Sequence, residues 1–260
     1  MLGDITAGLS QAPWPLIVMS GVVVGVLMGV FGVGGSSVAT PLLSLLGVPP
    51  LVAVASPLPA TIPAAVLGAG PYLRSGDARP RAAAWSLVGA VPATIIGALA
   101  SRVIGGATLI IASGVVLVVV GIRVLLPIDG TAHDAGEARR RNRPLLVAAA
   151  AGVGLFTGVL ANGGGFLLMP LYLLVFGLGM RQAVGTSLLV VALLSVPTLV
   201  THWLLGHVDW VVAGYFAASA LPGSLVASRL AGRLAGPVQR RAFGWFLIVF
   251  GTLFTFSRVI

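Results

Sequence analysis

Gly34-Gly35-Ser36-Ser37 and Asn162-Gly163-Gly164-Gly165 interrupt two otherwise apolar stretches with adjacent glycines beside hydroxyl or amide side chains. Adjacent glycines make a poor helix and a good backbone nest, in which successive N–H groups converge on one point. A helix that starts just after such a break aims the N–H groups of its first turn, and about half a positive charge, at whatever lies before it. Two helices starting in this way make a site for a small anion without any buried cation. Ser56, Thr186 and Ser187 are secondary candidates for the same site, because a hydroxyl binds an oxyanion and carries no charge of its own. Hydroxyls in membrane helices also serve by bonding a backbone carbonyl or a neighbouring helix.

The two breaks belong to one motif written twice. GVVVGVLMGVFGVGGSSVATP, Gly21 to Pro41, recurs 129 residues later as AAGVGLFTGVLANGGGFLLMP, Ala150 to Pro170. With a shift of 130, Ala53-Val54-Ala55-Ser56 lies on Ala183-Val184-Gly185-Thr186, Gly76 on Gly206 and Pro92 on Pro222. The chain is therefore read as two copies, residues 1–130 and 131–260, joined by the polar stretch 127–143. Gly21, Gly25, Gly29, Gly154 and Gly158 have the small-xxx-small spacing that lets membrane helices approach closely, and packing is their expected role. Gly34, Gly35, Gly163, Gly164 and Gly165 are expected to contact substrate.

Composition sets the solvent. Hydrophobic residues make up 58% of the 260 and charged residues 8%, with a mean hydropathy of +1.09. An ordinary soluble surface is not made this way. Apolar runs long enough to span a bilayer lie at 14–31, 51–73, 82–101 and 107–126, and again at 144–161, 183–205, 210–228 and 237–257. Two shorter runs, 36–48 and 165–178, follow the breaks and read as half-helices, re-entrant segments or tilted short spans. Irregular backbone within hydrophobic sequence must be buried in protein or line a wet cavity. No Asp, Glu, Lys or Arg falls in the middle of a span, so a proton relay of buried carboxylates is not indicated. His202 lies beside Trp203 and reads as a residue near a membrane interface. Asp4, with no arginine before Arg74, is unlike the basic start of a signal peptide, and the first hydrophobic segment is expected to be retained.

Cysteine is absent, which excludes disulfides and thiolate metal or redox sites; no cofactor or metal is expected. The net charge of +9 comes from fifteen arginines with no lysine. Their placement fits loops that meet the cytoplasm better than a nucleic-acid surface. If each broken pair, 14–48 and 144–178, starts and ends on one membrane face, thirteen arginines share a side and only Arg102 and Arg258 fall opposite. If each pair is one continuous crossing, the split is nine to six. The positive-inside rule favours the first arrangement. The fold class expected is an all-α polytopic membrane protein of two inverted-topology repeats, each a Gly-broken helix pair plus three long transmembrane helices. Both termini are then outside and the linker 127–143 is cytoplasmic.

The duplicated glycine-rich segment ending at Pro41 and Pro170, the PATIIG stretch Pro92–Gly97, the PGSLVASRL stretch Pro222–Leu230 and the basic linker together resemble the sulfite exporter TauE/SafE family, also called the toluene sulfonate uptake permease family. The resemblance runs from residue 15 to 257. It implies a plasma-membrane transporter, not an enzyme, for small sulfur-containing anions such as sulfite, sulfoacetate and other sulfonates. The copies differ at Ser36-Ser37 against Gly165-Phe166, so the two half-sites are chemically unequal. The partners expected are a small anion and the lipid bilayer, with a homodimer open and no nucleic acid. Two other functions stay open: a passive anion channel with the same converging half-helices, and an intramembrane serine hydrolase using Ser36 or Ser37 with His202 as base.

Overall fold

The computed structural model describes residues 14–100, 106–126, 142–159, 165–204 and 206–256, within which every regular element is helical. In chain order these are α1 (Trp14–Phe31), α2 (Gly35–Leu45), α3 (Pro50–Ala55), α4 (Leu58–Arg74), α5 (Pro80–Ala100) and α6 (Gly106–Leu125). After the linker come α7 (Arg143–Val159), α8 (Gly165–Pro170), α9 (Met180–Leu204), α10 (Trp210–Ala231) and α11 (Gly236–Phe256). The expected run at 51–73 is divided between α3 and α4. Pro57 has no N–H to continue the ladder and its ring opposes the carbonyl four residues back, so α3 stops at Ala55.

Helices of the two copies interleave. α1 packs along α10 and α7 along α5, so the first helix of each copy lies on the helix after the Gly76 or Gly206 turn of the other. α4 packs on α10 and α9 on α5, while α4 with α9 and α6 with α11 pair equivalent helices. Glycine makes the closest seams. A Cβ on Gly25 would stand 2.4 Å from the Ala220 carbonyl oxygen, and one on Gly154 2.5 Å from that of Ala90. One turn on, Gly29 meets the Ser224 oxygen at 2.4 Å and Gly158 the Thr94 oxygen at 2.2 Å. Ala90 and Thr94 lie 130 positions before Ala220 and Ser224, so the same contact is built twice with the copies exchanged.

The contacts also place the ends of the helices. The Trp14 and Tyr215 rings lie 4.8 Å apart, which sets the start of α1 beside the start of α10. The Ser56 hydroxyl accepts the Asp209 N–H at 3.0 Å, so the chain is back at that end after α1, α2 and α3. At the opposite end Arg143 lies over the Trp85 ring, and Thr186 Oγ1 accepts the Arg79 N–H at 3.1 Å. The second excursion, through α7 and α8, thus begins and closes at that end. All ten arginines among the described residues belong there. Two of them cap helices: Arg181 pairs with Asp77 at 2.8 Å and donates to the Gly232 carbonyl at the end of α10, and Arg240 donates to the Val124 carbonyl near the end of α6. Cations at C-terminal carbonyls complement the helix dipole. Large apolar side chains such as Val88, Ile96, Val119 and Leu253 are exposed on the outer surface, as a bilayer solvent requires.

A one-residue difference between the copies has a visible consequence. Pro41 and Gly47 are six positions apart, whereas Pro170 and Gly177 are seven apart. The extra residue is absorbed by a π-helical turn, Leu171–Val175, that continues α8, with the Phe176 N–H bonded to the Leu171 carbonyl five residues back. Such turns accept an inserted residue without ending the helix. Beyond it the copies return to register, and Gly47 and Gly177 both adopt positive φ, +82° and +56°.

Candidate functional site at the interior helix break

α1 ends at Phe31 and the chain turns back through Gly32, Val33 and Gly34 into α2. Gly32 has φ +67°, and a Cβ there would also stand 2.8 Å from the Val184 carbonyl oxygen, so glycine is required on two counts. The turn returns α2 alongside the helix just left. Gly35 sits against Met28 and Val24 of α1 and Thr61 of α4, one to two turns back from the end of α1.

A broken helix leaves carbonyls behind it and N–H groups ahead. The carbonyls are answered by three side chains from three helices. The Tyr72 hydroxyl of α4 donates to the Gly29 carbonyl at 3.0 Å, Ser187 Oγ of α9 to that of Gly32 at 3.0 Å, and Gln239 Nε2 of α11 to that of Val30. The N–H side is arranged differently. The N-cap of α2 is Gly34, at φ −60° and ψ 130°, and it has no side chain with which to cap the first turn. Gly34, Gly35 and Ser36 are buried, with Ser36 at 0% exposure. The donor-rich end of α2 therefore opens inside the protein, where an anion is favoured.

The expected site residues fall into three groups. Gly34, Gly35 and Ser36 form the start of α2, together with Ser37, of which the backbone is described. Asn162, Gly163 and Gly164 lie outside the described residues, and Gly165 opens α8. α2 and α8 pack against one another, so the segments following the two breaks are neighbours. Ser56, Thr186 and Ser187 are all fully buried and fasten helices. Ser56 and Thr186, 130 positions apart, accept the backbone N–H groups of Asp209 and Arg79, which are also 130 apart. His202 stands at the far end of α9, its Nδ1 3.3 Å from Nδ1 of His207, so the base that a hydrolase would need is engaged there.

Sequence reading did not single out Gly32, Tyr72 or Gln239. Gln239 stands beside Arg240 and Arg241 at the start of its run, where a polar residue is ordinary. Tyr72 lies two residues before Arg74 at a helix end, where a tyrosine is ordinary.

Among the described residues, four helical stretches, Trp14–Phe31, Val52–Arg74 across α3 and α4, Met180–Leu204 and Trp210–Ala231, are long and apolar enough to cross a bilayer. With close glycine seams and a helix break buried between them, they define a multi-pass membrane protein of transporter type. The chain belongs to the Sulfite exporter TauE/SafE family, whose profile matches residues 17–254. It is similar to the probable membrane transporter protein YjnA of Bacillus subtilis (strain 168), with 26% identity over 230 residues, 84% of this chain and 91% of that one. A shorter similarity, 30% over 89 residues, covers 34% of the chain and 31% of the probable membrane transporter protein YunE of the same organism. No solved structure matches. The family and the names of both relatives are those of membrane transporters rather than enzymes.

Proposed function

We propose that this transporter carries small sulfur-containing anions, such as sulfite, sulfoacetate or other sulfonates, by alternating access around the interior break. The observation that carries the reading is the start of α2, buried and opened by Gly34. An anion at the break is held by the backbone N–H groups that open α2, with the hydroxyl of Ser36 beside them. The second half of the site is assigned to Asn162, Gly163, Gly164 and Gly165, the last of which opens α8, a neighbour of α2. Binding without a fixed countercharge is weak and reversible, as transport needs. Ser187, bonded to the Gly32 carbonyl, and Thr186 beside it form its wall, while Ser56 braces the opposite end of the bundle.

The exchange of helices between copies suggests which parts move. The glycine seams make α1 with α10, and α5 with α7, two tight pairs, each taking one helix from either copy. Rocking of one pair against the other, across α4 and α9, opens the break first to one side and then to the other. The reading requires inverted repeats, and it is supported by the return of each broken excursion to the end where it began. Tags at both termini are then accessible from outside intact cells and a tag within 127–143 is protected; termini on opposite faces contradict the arrangement.

Substrate class is tested by thermal stability of the purified protein with sulfite, sulfate, thiosulfate, sulfoacetate, taurine and small carboxylates. A ligand at about a hundred times its Kd stabilises the folded state by about 2.7 kcal/mol. Sulfite or a sulfonate is expected to raise the melting temperature selectively. Stabilisation by carboxylates alone would move the substrate out of the sulfur class.

A further inference from the structure

The surface between α1 and α10 is hollowed into a groove of about 820 Å³ that faces the lipid. That volume lies in the upper part of the range of small-molecule sites, ~300–1,000 Å³. One wall is a stripe of valines on α1, Val18, Val22 and Val26, at the four-residue spacing that sets side chains above one another. The other runs along α10 from Ala218 past Val226, and the lining is almost wholly apolar. Its one charged lining residue is Arg233, exposed just beyond α10 at the arginine-rich end. From Val18 to Val30 the groove follows α1 for about 18 Å, more than the ~15 Å hydrocarbon depth of one leaflet.

We propose that this groove holds one acyl chain of an anionic phospholipid whose phosphate pairs with Arg233. The apolar walls accept the chain along its length, and the single guanidinium stands where the headgroup of the leaflet at that end would lie. The feature is not a by-product of the duplication. The repeat-equivalent of Ala218 is Val88, so the small residue in the wall belongs to the α1–α10 pair. Nothing in this inference depends on which anion is transported.

The test is native mass spectrometry of the purified full chain with phosphatidylglycerol or phosphatidylcholine carrying identical acyl chains. Wild-type protein is expected to retain one phosphatidylglycerol about fivefold more than phosphatidylcholine, the preference expected of one arginine near a membrane surface. Arg233→Gln should bring the two lipids to parity. Ala218→Leu, a change at an exposed position that fills the groove, should reduce retention of both. Both variants leave the buried seams untouched, so monodisperse behaviour on gel filtration is expected of each. Equal retention of the two lipids by the wild type, or no loss in Ala218→Leu, overturns the proposal. So does a lipid-free dimer in which cysteines placed at Val22 of two copies cross-link, because a second copy would then be the occupant.

Discussion

Anion transport is expected to be abolished in Ser36→Asp and retained in part in Ser36→Asn. Ser36 is the second residue of α2 and is fully buried, so both replacements place a side chain of nearly the same size at the same point. They differ in charge. A carboxylate in the first turn of a helix is favoured by the dipole, which helps the protein tolerate the change. The same carboxylate then occupies the place of the substrate and repels it. Two like charges 4 Å apart at an effective dielectric constant near 20 cost about 4 kcal/mol, or roughly three orders of magnitude in affinity. Uptake of labelled sulfite or sulfonate by proteoliposomes, at matched protein amount and melting temperature, is the measurement. Equal flux in the two variants would place the site away from α2.

Gly25→Ala and Gly158→Ala are each expected to destabilise the protein by about 3 kcal/mol, the upper range for forcing one group into a close-packed seam. The new methyl carbon would stand 2.4 Å from the Ala220 oxygen in one case and 2.2 Å from the Thr94 oxygen in the other. Both obstacles are backbone, so the helices must separate. Gly152→Ala and Gly214→Ala are the controls, since a Cβ at either meets nothing within 4 Å. In the middle of a helix these exchanges should instead stabilise by roughly 0.5–1 kcal/mol. Thermal unfolding in detergent distinguishes the pairs, and similar melting temperatures for Gly158→Ala and Gly152→Ala would contradict the packing described.

Much of this packing was legible in the sequence because glycine period and apolar length are local properties. The runs 107–126 and 237–257 became α6, Gly106–Leu125, and α11, Gly236–Phe256. Gly21, Gly25, Gly29, Gly154 and Gly158 all face a partner helix closely. The identity of that partner was not legible, since a four-residue period defines a face and says nothing of what meets it. The exchange of α1 and α7 between copies therefore emerged only in three dimensions. The one-residue excess between Pro170 and Gly177 was countable, but a loop or a bulge would absorb it equally well, and the π-helical turn is a choice of local packing. At the break, the adjacent glycines pointed to the start of α2. Its counterpart, the cap of Tyr72, Ser187 and Gln239 on the carbonyls of Gly29, Gly32 and Val30, joins residues up to 209 positions apart and left no pattern in the chain.

The central claim is that the break binds a sulfur oxyanion in a carrier, and counterflow tests it most directly. Proteoliposomes are loaded with unlabelled sulfite or sulfoacetate and diluted into a trace of the labelled anion. A carrier working by alternating access returns to the outer face faster with substrate than without, so labelled anion accumulates transiently above its external concentration, and Ser36→Asp eliminates the overshoot. Flux that rises without saturation, follows the membrane potential and shows no overshoot would contradict the account and identify the protein as a channel.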